Sequence, residues 1–134
     1  MIAAVAAASL LGTAATASAD ARIDRGRYLV ETVAACGNCH TSMGPEGQDR
    51  SRHLAGGQVI DMGNFRAVPA NIAPDPATGI GAWSDAEIAR AIREGVRPDG
   101  RHLMPPMGFA YYRNISEGNM PAIIAYLRTL PPME

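Results

Sequence analysis

The chain of 134 residues has no lysine, since all twelve of its basic residues are arginine, and its formal net charge is only −1. A balance that close to zero lacks the electrostatic footprint of a nucleic-acid binder, which sets that class aside. Arginine in place of lysine leaves basic groups that can grip a partner's carboxylates bidentately. Cysteine is almost absent. The two that occur, Cys36 and Cys39, lie three positions apart, so no long-range disulfide framework can form and the pair must act locally. Aromatics make up 5% of the residues, against 14 Gly and 10 Pro, which pack little or interrupt regular elements. A chain of this size builds one core in one domain, and such a composition fills it poorly. A bound prosthetic group would help fill the interior.

Charge is also missing from the first nineteen residues, MIAAVAAASLLGTAATASA, which end in the small-residue pattern Ala17-Ser18-Ala19. The segment reads as a secretory signal peptide cut before Asp20, although no Lys or Arg opens it. Left uncut it would be an N-terminal anchor of minimum spanning length, rich in Ala, Ser and Thr. The domain proper is then 20–134.

Long alternating runs are lacking too, so no strand of useful length is expected. From Asp20 the segment places Gly26, Leu29, Val30 and Val33 at helical spacing and runs into the cysteines. Residues 41–81 show neither a 3.6 nor a 2 period and are broken by Gly44-Pro45, Gly56-Gly57, Pro69, Pro74 and Pro76. So long a loop is reasonable if it wraps a large rigid ligand. Ser84-Asp85-Ala86-Glu87 is a capping box that opens a second helix, with Ile88, Ala91 and Ile92 on one face and Gly95 as its stop. A second irregular stretch, 97–114, leads to a last helix carrying Ile123, Tyr126, Leu127 and Leu130 at i, i+3, i+4 and i+7. With Pro121 in its first turn, Asn119 is a better cap than Ser116.

Cys36-Gly37-Asn38-Cys39-His40 is the attachment motif of a c-type haem. The two thiols add across the haem vinyl groups, the two intervening residues set their separation, and the next imidazole meets the iron. The competing readings are a local disulfide, a thioredoxin-type pair and half a zinc site. The thioredoxin pair needs a βαβ context, and zinc needs more thiolate or imidazole partners than this chain offers. A backbone carbonyl is expected to accept the Nδ1 hydrogen of His40, from Leu54 to Gly57 or from Pro69 to Asn71.

The chain resembles class I c-type cytochromes, and among them the monohaem cytochrome domains and subunits of periplasmic dehydrogenases. The likeness rests on Arg25-Gly26-Arg27-Tyr28-Leu29 before CGNCHT, Leu54-Ala55-Gly56-Gly57, Asn71-Ile72-Ala73-Pro74-Asp75, Thr78-Gly79-Ile80-Gly81 with Trp83-Ser84-Asp85, Pro98-Asp99-Gly100, Pro105-Pro106-Met107 and Ala125-Tyr126-Leu127-Arg128. The resemblance implies an all-α fold of three main helices and long loops around one covalent haem c, with the first and last helices crossing at Gly26 and Tyr126-Leu127. It also places the distal ligand just before the final helix, at Met107, with Met104 as the alternative. Gly108-Phe109 follow Met107 where the family usually has proline and an aromatic. His102 and His53 are the remaining distal candidates, and nothing in their flanks favours them over surface roles. Trp83 is either a haem-propionate contact or a core residue.

The function expected is one-electron transfer by a periplasmic carrier that takes electrons from a dehydrogenase and passes them towards another cytochrome or a terminal oxidase. Its redox partners would dock through a small transient interface near Met43, Gly44, Pro45, Met107, Gly108 and Phe109. Two other readings are a membrane-tethered electron-transfer subunit of a dehydrogenase or respiratory complex, and a haem sensor or peroxidase-like protein with an open distal site. The membrane enters only if the N-terminal segment is retained.

Overall fold

The computed structural model describes residues 8–134. Helix α1 spans Ala8–Tyr28, so it runs through the boundary before Asp20 without a break. The first seven residues of the expected signal segment lie outside the described residues. No helix among the described residues is long and apolar enough to cross a membrane.

α1 continues as a π-helical turn, Leu29–Val33, before the single turn α2, Gly37–His40. α3 spans Asp85–Glu94. Its capping box is complete, because the Ser84 hydroxyl accepts from the Glu87 N–H while the Glu87 carboxylate accepts from the Ser84 N–H. Gly95 closes the helix in the left-handed region at φ 69°, where a side chain would be strained. α4, Phe109–Tyr112, is one turn inside a stretch expected to be irregular, and α5 spans Asn119–Thr129.

The cap of α5 differs from expectation. Gly118 occupies the cap position, the Ser116 hydroxyl accepts from the Asn119 N–H at 3.3 Å, and the Asn119 carbonyl oxygen of the side chain is taken by the Arg25 Nε–H at 3.1 Å. Asn119 is therefore the first helical residue and ties α5 to α1. Pro121 falls in the first turn, where its missing N–H costs nothing.

α1 and α5 cross at Gly26. A Cβ there would collide with the Ala122 carbonyl and sit 2.7 Å from Tyr126 Cβ, so only glycine permits this approach. The core gathers around the crossing from Leu29, Val30, Leu54, Ile80, Ile88, Met120, Ile123, Ile124, Tyr126 and Leu127. Between the helices, the described residues form loops, a 3-10 turn at Arg50–Arg52 and two minimal antiparallel hairpins, which sequence patterning could not show because each strand has two residues: β1 (Met43–Gly44) with β2 (Gly47–Gln48), and β3 (Ile60–Asp61) with β4 (Arg66–Ala67).

Polar clamps order the long loop. Asp75 Oδ1 accepts from the Ala77 and Thr78 N–H groups and the Thr78 hydroxyl. Arg128 on α5 donates to the carbonyls of Ile80, Gly81 and Trp83 and to the Asp85 carboxylate, fixing the turn that precedes α3.

Candidate functional site

The motif sits where the chain leaves the first helix. Ala35 takes a left-handed conformation at φ 48°, and the Cys36 N–H still bonds the Val30 carbonyl at 3.0 Å, so the backbone turns sharply without leaving the core. The N–H groups of Cys39 and His40 both return to the Cys36 carbonyl, at 3.2 and 2.9 Å. One helical turn thus presents both thiols and the imidazole. The cysteines are unpaired and half-buried. Burial pushes the Cys36 thiol up to about 11, which keeps it protonated at neutral pH. A thioredoxin-type nucleophile needs the opposite shift.

His40 is oriented from its far side. Its Nδ1 lies 2.7 Å from the carbonyl oxygen of Ala70. A carbonyl only accepts, so Nδ1 carries the hydrogen and Nε2 keeps its lone pair. Burial lowers the pKa of the ring, against the opposing effect of the Ala70 bond, and so favours the neutral form that can bind a metal. The accepting carbonyl comes from 69–71, one of the two segments expected.

An apolar cavity of about 200 Å³ lies between the π-helical turn that leads to the motif, α4 and α5, lined by Leu29, Val33, Ala34, Tyr112, Ile115, Asn119 and Ile123. Tyr112, from the unexpected α4, donates its hydroxyl to the Ala34 carbonyl at 3.3 Å across this space. Two free thiols and an imidazole with an available Nε2 form a donor set that fits a covalently attached haem.

The second candidate region is the 97–114 stretch. Met107 is half-buried, whereas Met104 is 73% exposed. The Met107 N–H bonds the Met104 carbonyl at 3.2 Å, closing a turn over the cis Pro105-Pro106 bond. The Phe109 ring packs against Gly95, where an added Cβ would come within 2.8 Å of it, and the Leu103 N–H bonds the Gly95 carbonyl at 2.7 Å. His102 is exposed, and both ring nitrogens of His53 are engaged by Glu31 and Thr41, which leaves His53 no free ligating atom.

Trp83 is half-buried against the core, with the Arg97 guanidinium over its ring at 5.6 Å. Met43, Gly44 and Pro45 are exposed, while Met107, Gly108 and Phe109 are half-buried. Glu31, Thr41 and Tyr126 form a polar cluster behind the motif with His53. Periodicity cannot reveal it, because its members are far apart in sequence and each is unremarkable alone.

The family model for cytochrome c matches residues 23–131. The chain is 41% identical to a nicotinate dehydrogenase subunit of Pseudomonas putida over 113 residues, which are 84% of this chain and 9% of that protein. It is 35% identical to a diheme cytochrome c-type protein of Cereibacter sphaeroides over 74% of this chain and 33% of that one. It is 37% identical to the fructose dehydrogenase cytochrome subunit of Gluconobacter japonicus over 80% of this chain and 21% of that subunit. The chain therefore spans a third or less of the length of these relatives.

Proposed function

The chain belongs to the cytochrome c family, and on that premise we propose that it is a one-electron carrier with a single haem c, working in the periplasm between a dehydrogenase and a further cytochrome or oxidase. Cys36 and Cys39 would hold the group through thioethers, with His40 and Met107 on the iron. When bound, the haem supplies an Fe(III)/Fe(II) couple. The chain's own residues do the rest. Ala70 accepts from Nδ1 of the His40 ring, which leaves Nε2 with its lone pair. The turn closed between Met104 and Met107 presents Met107 as a soft, flexible thioether. Met/His ligation raises the potential, which suits a carrier that receives electrons from a dehydrogenase.

The observation that carries this reading is the single turn that presents two unpaired thiols together with a histidine fixed at Nδ1. Residues 1–19 would direct export and be removed before Asp20, leaving 20–134 as the carrier. The test is expression with a haem-attachment system, followed by intact mass, N-terminal sequencing and optical spectra. A mature protein beginning at Asp20, one haem heavier than the polypeptide and showing a near-infrared sulfur-to-iron band supports it. A protein without covalent haem overturns it.

One observation favours the second reading, a subunit of a larger complex: the relatives named as dehydrogenase subunits are several times longer than the matched region. Co-purification decides. A stoichiometric dehydrogenase retained through detergent extraction and gel filtration selects the subunit, and a lone protein in the periplasmic fraction selects the free carrier.

A further inference from the structure

Leu54 is a fully buried, branched residue in the left-handed region at φ 61°, where such side chains rarely sit. Backbone strain of this kind persists only where its surroundings over-determine it. Here they do. The Leu54 N–H donates to Thr41 Oγ1 at 3.0 Å, and the Leu54 carbonyl accepts from the Ile72 N–H at 3.0 Å. Thr41 immediately follows the haem-ligand candidate His40 and is itself fully buried. Ile72 lies two residues beyond Ala70, whose carbonyl holds the His40 ring. Leu54 therefore ties the residue after the ligand to the stretch of chain that orients the ligand. Two neighbouring bonds reinforce the tie, from the Gly56 N–H to the His40 carbonyl at 2.7 Å and from the Gly57 N–H to the Pro69 carbonyl at 2.9 Å.

The tie is extended outward by a chain of side chains whose polarity can be assigned. His53 Nε2 lies 2.7 Å from Glu31 Oε1, and a carboxylate accepts, so Nε2 carries hydrogen. In the neutral ring Nδ1 is then the acceptor, and the Thr41 hydroxyl, 3.2 Å away and already accepting from Leu54, donates to it. Glu31 Oε1 also accepts from the Tyr126 hydroxyl at 2.8 Å, and Arg50 stands 3.7 Å from Oε2. Burial and the Glu31 bond push the Tyr126 phenol up to about 12, so it stays a donor. The bonds run without a mismatch from Leu54 through Thr41 and His53 to Glu31, where α5 closes the circuit.

We propose that Glu31 and His53, acting through Thr41 and Leu54, are positioning residues that hold the Ala70 carbonyl against Nδ1 of His40 and so set how strongly that imidazole donates to iron. The proposal rests on the haem reading above. A firm Nδ1–H bond makes the imidazole a more basic ligand, which stabilises the ferric state and lowers the potential. Slackening the brace should raise it.

The test uses the haem-loaded protein and two readouts besides electron-transfer rate: the midpoint potential by spectroelectrochemistry, and the hyperfine-shifted ring-proton resonances of His40 in the ferric form. His53→Ala and Thr41→Val are expected to shift the potential upward and move those resonances. Thr41→Ser, which keeps the hydroxyl, is expected to match wild type, and so is Glu31→Gln, which keeps an acceptor for His53 and Tyr126. Ile88→Val, a core change outside the brace, controls for general loosening and should lower stability without moving the potential. If His53→Ala fails to accumulate, the Thr41→Val and Thr41→Ser pair decides alone. An unmoved potential in His53→Ala or Thr41→Val overturns the brace, as does a Glu31→Gln shift equal to that of His53→Ala, which would make the effect one of charge. Wild type that carries no covalent haem overturns the underlying reading instead.

Discussion

The two sides of the site are built on different principles. On the His40 side, a five-residue motif sits on one helical turn, and three neighbouring stretches bond back to it: Ala70 to the ring, Gly56 to the His40 carbonyl, and Leu54 and His53 to the side chain of Thr41. On the Met107 side, a proline turn is closed by a backbone bond to Met104, the Leu103 N–H bonds the Gly95 carbonyl, and the Phe109 ring lies against Gly95. The first side engages the side chains of His40 and Thr41 in hydrogen bonds of defined direction, whereas the hydrogen bond on the second is made by the Met107 backbone. A ligand held the first way should tolerate little change in its surroundings, and one held the second way should be exchangeable.

The largest expected effects test that contrast directly. Replacing Cys36 and Cys39 together by Ala should abolish covalent attachment, read as loss of the haem mass increment. Met107→Ala should leave the haem attached while removing the near-infrared band and lowering the potential, and Met104→Ala should do neither. A Met104→Ala protein that loses the band would move the distal ligand to Met104 and reverse the reading of its exposure.

Next in size is the helix crossing behind the His40 side. Gly26→Val forces side-chain atoms into the Ala122 carbonyl and Tyr126, and overpacking of this kind costs about 3 kcal/mol or more. Denaturant midpoints measure it, and a midpoint within error of wild type would show that α1 and α5 can separate freely.

Gly95→Ala probes the other side. It places a Cβ in the left-handed region, at about 1–2 kcal/mol, and within 2.8 Å of the ring of Phe109, two residues past Met107. The expected outcome is a modest fall in midpoint with a weakened near-infrared band at neutral pH. A full-strength band would show that Phe109 does not support Met107.

The same contrast explains what could be read from the residues alone. The attachment motif, the α3 capping box and the 3.6 period of α5 are local signals, because each is written in neighbours three or four apart. The capping box and the last helix stand in the structure at the residues expected. The α5 cap did not, because Asn119 is drawn out of the capping role by Arg25, a residue remote in sequence. α4 stayed hidden because one turn, Phe109–Tyr112, has no period to detect. The Glu31–His53–Thr41 circuit was equally hidden, since His53 looks like any surface histidine until Glu31 and Thr41 are placed on either side of it. That a backbone carbonyl should orient His40 follows from the chemistry of a ligating imidazole, with 54–57 and 69–71 as Gly/Pro-rich candidates, and only the fold chose Ala70.

The smallest expected effect concerns acid. Asp75 supports the turn in the loop that follows the His40 brace, and the N–H groups of Thr78 and Ala77, together with the Thr78 hydroxyl, hold its carboxyl below the ordinary value of 3.8. Asp99, in the stretch that leads to Met107, is held low mainly by Arg101. A folded-state pKa below the unfolded one means that each carboxylate stabilises the fold above the unfolded value, and that this contribution is lost as pH falls through the folded value. Asp75→Asn should therefore be less stable than wild type at pH 7, and the difference should shrink as both are titrated below about pH 4. Asp99→Asn should show the same sign with a smaller difference, since Arg101 is mostly exposed and surface ion pairs contribute little. Denaturant midpoints across that range test both. Equal differences for the two variants would show that a carboxylate bonded by several backbone N–H groups counts for no more than one paired with an exposed arginine.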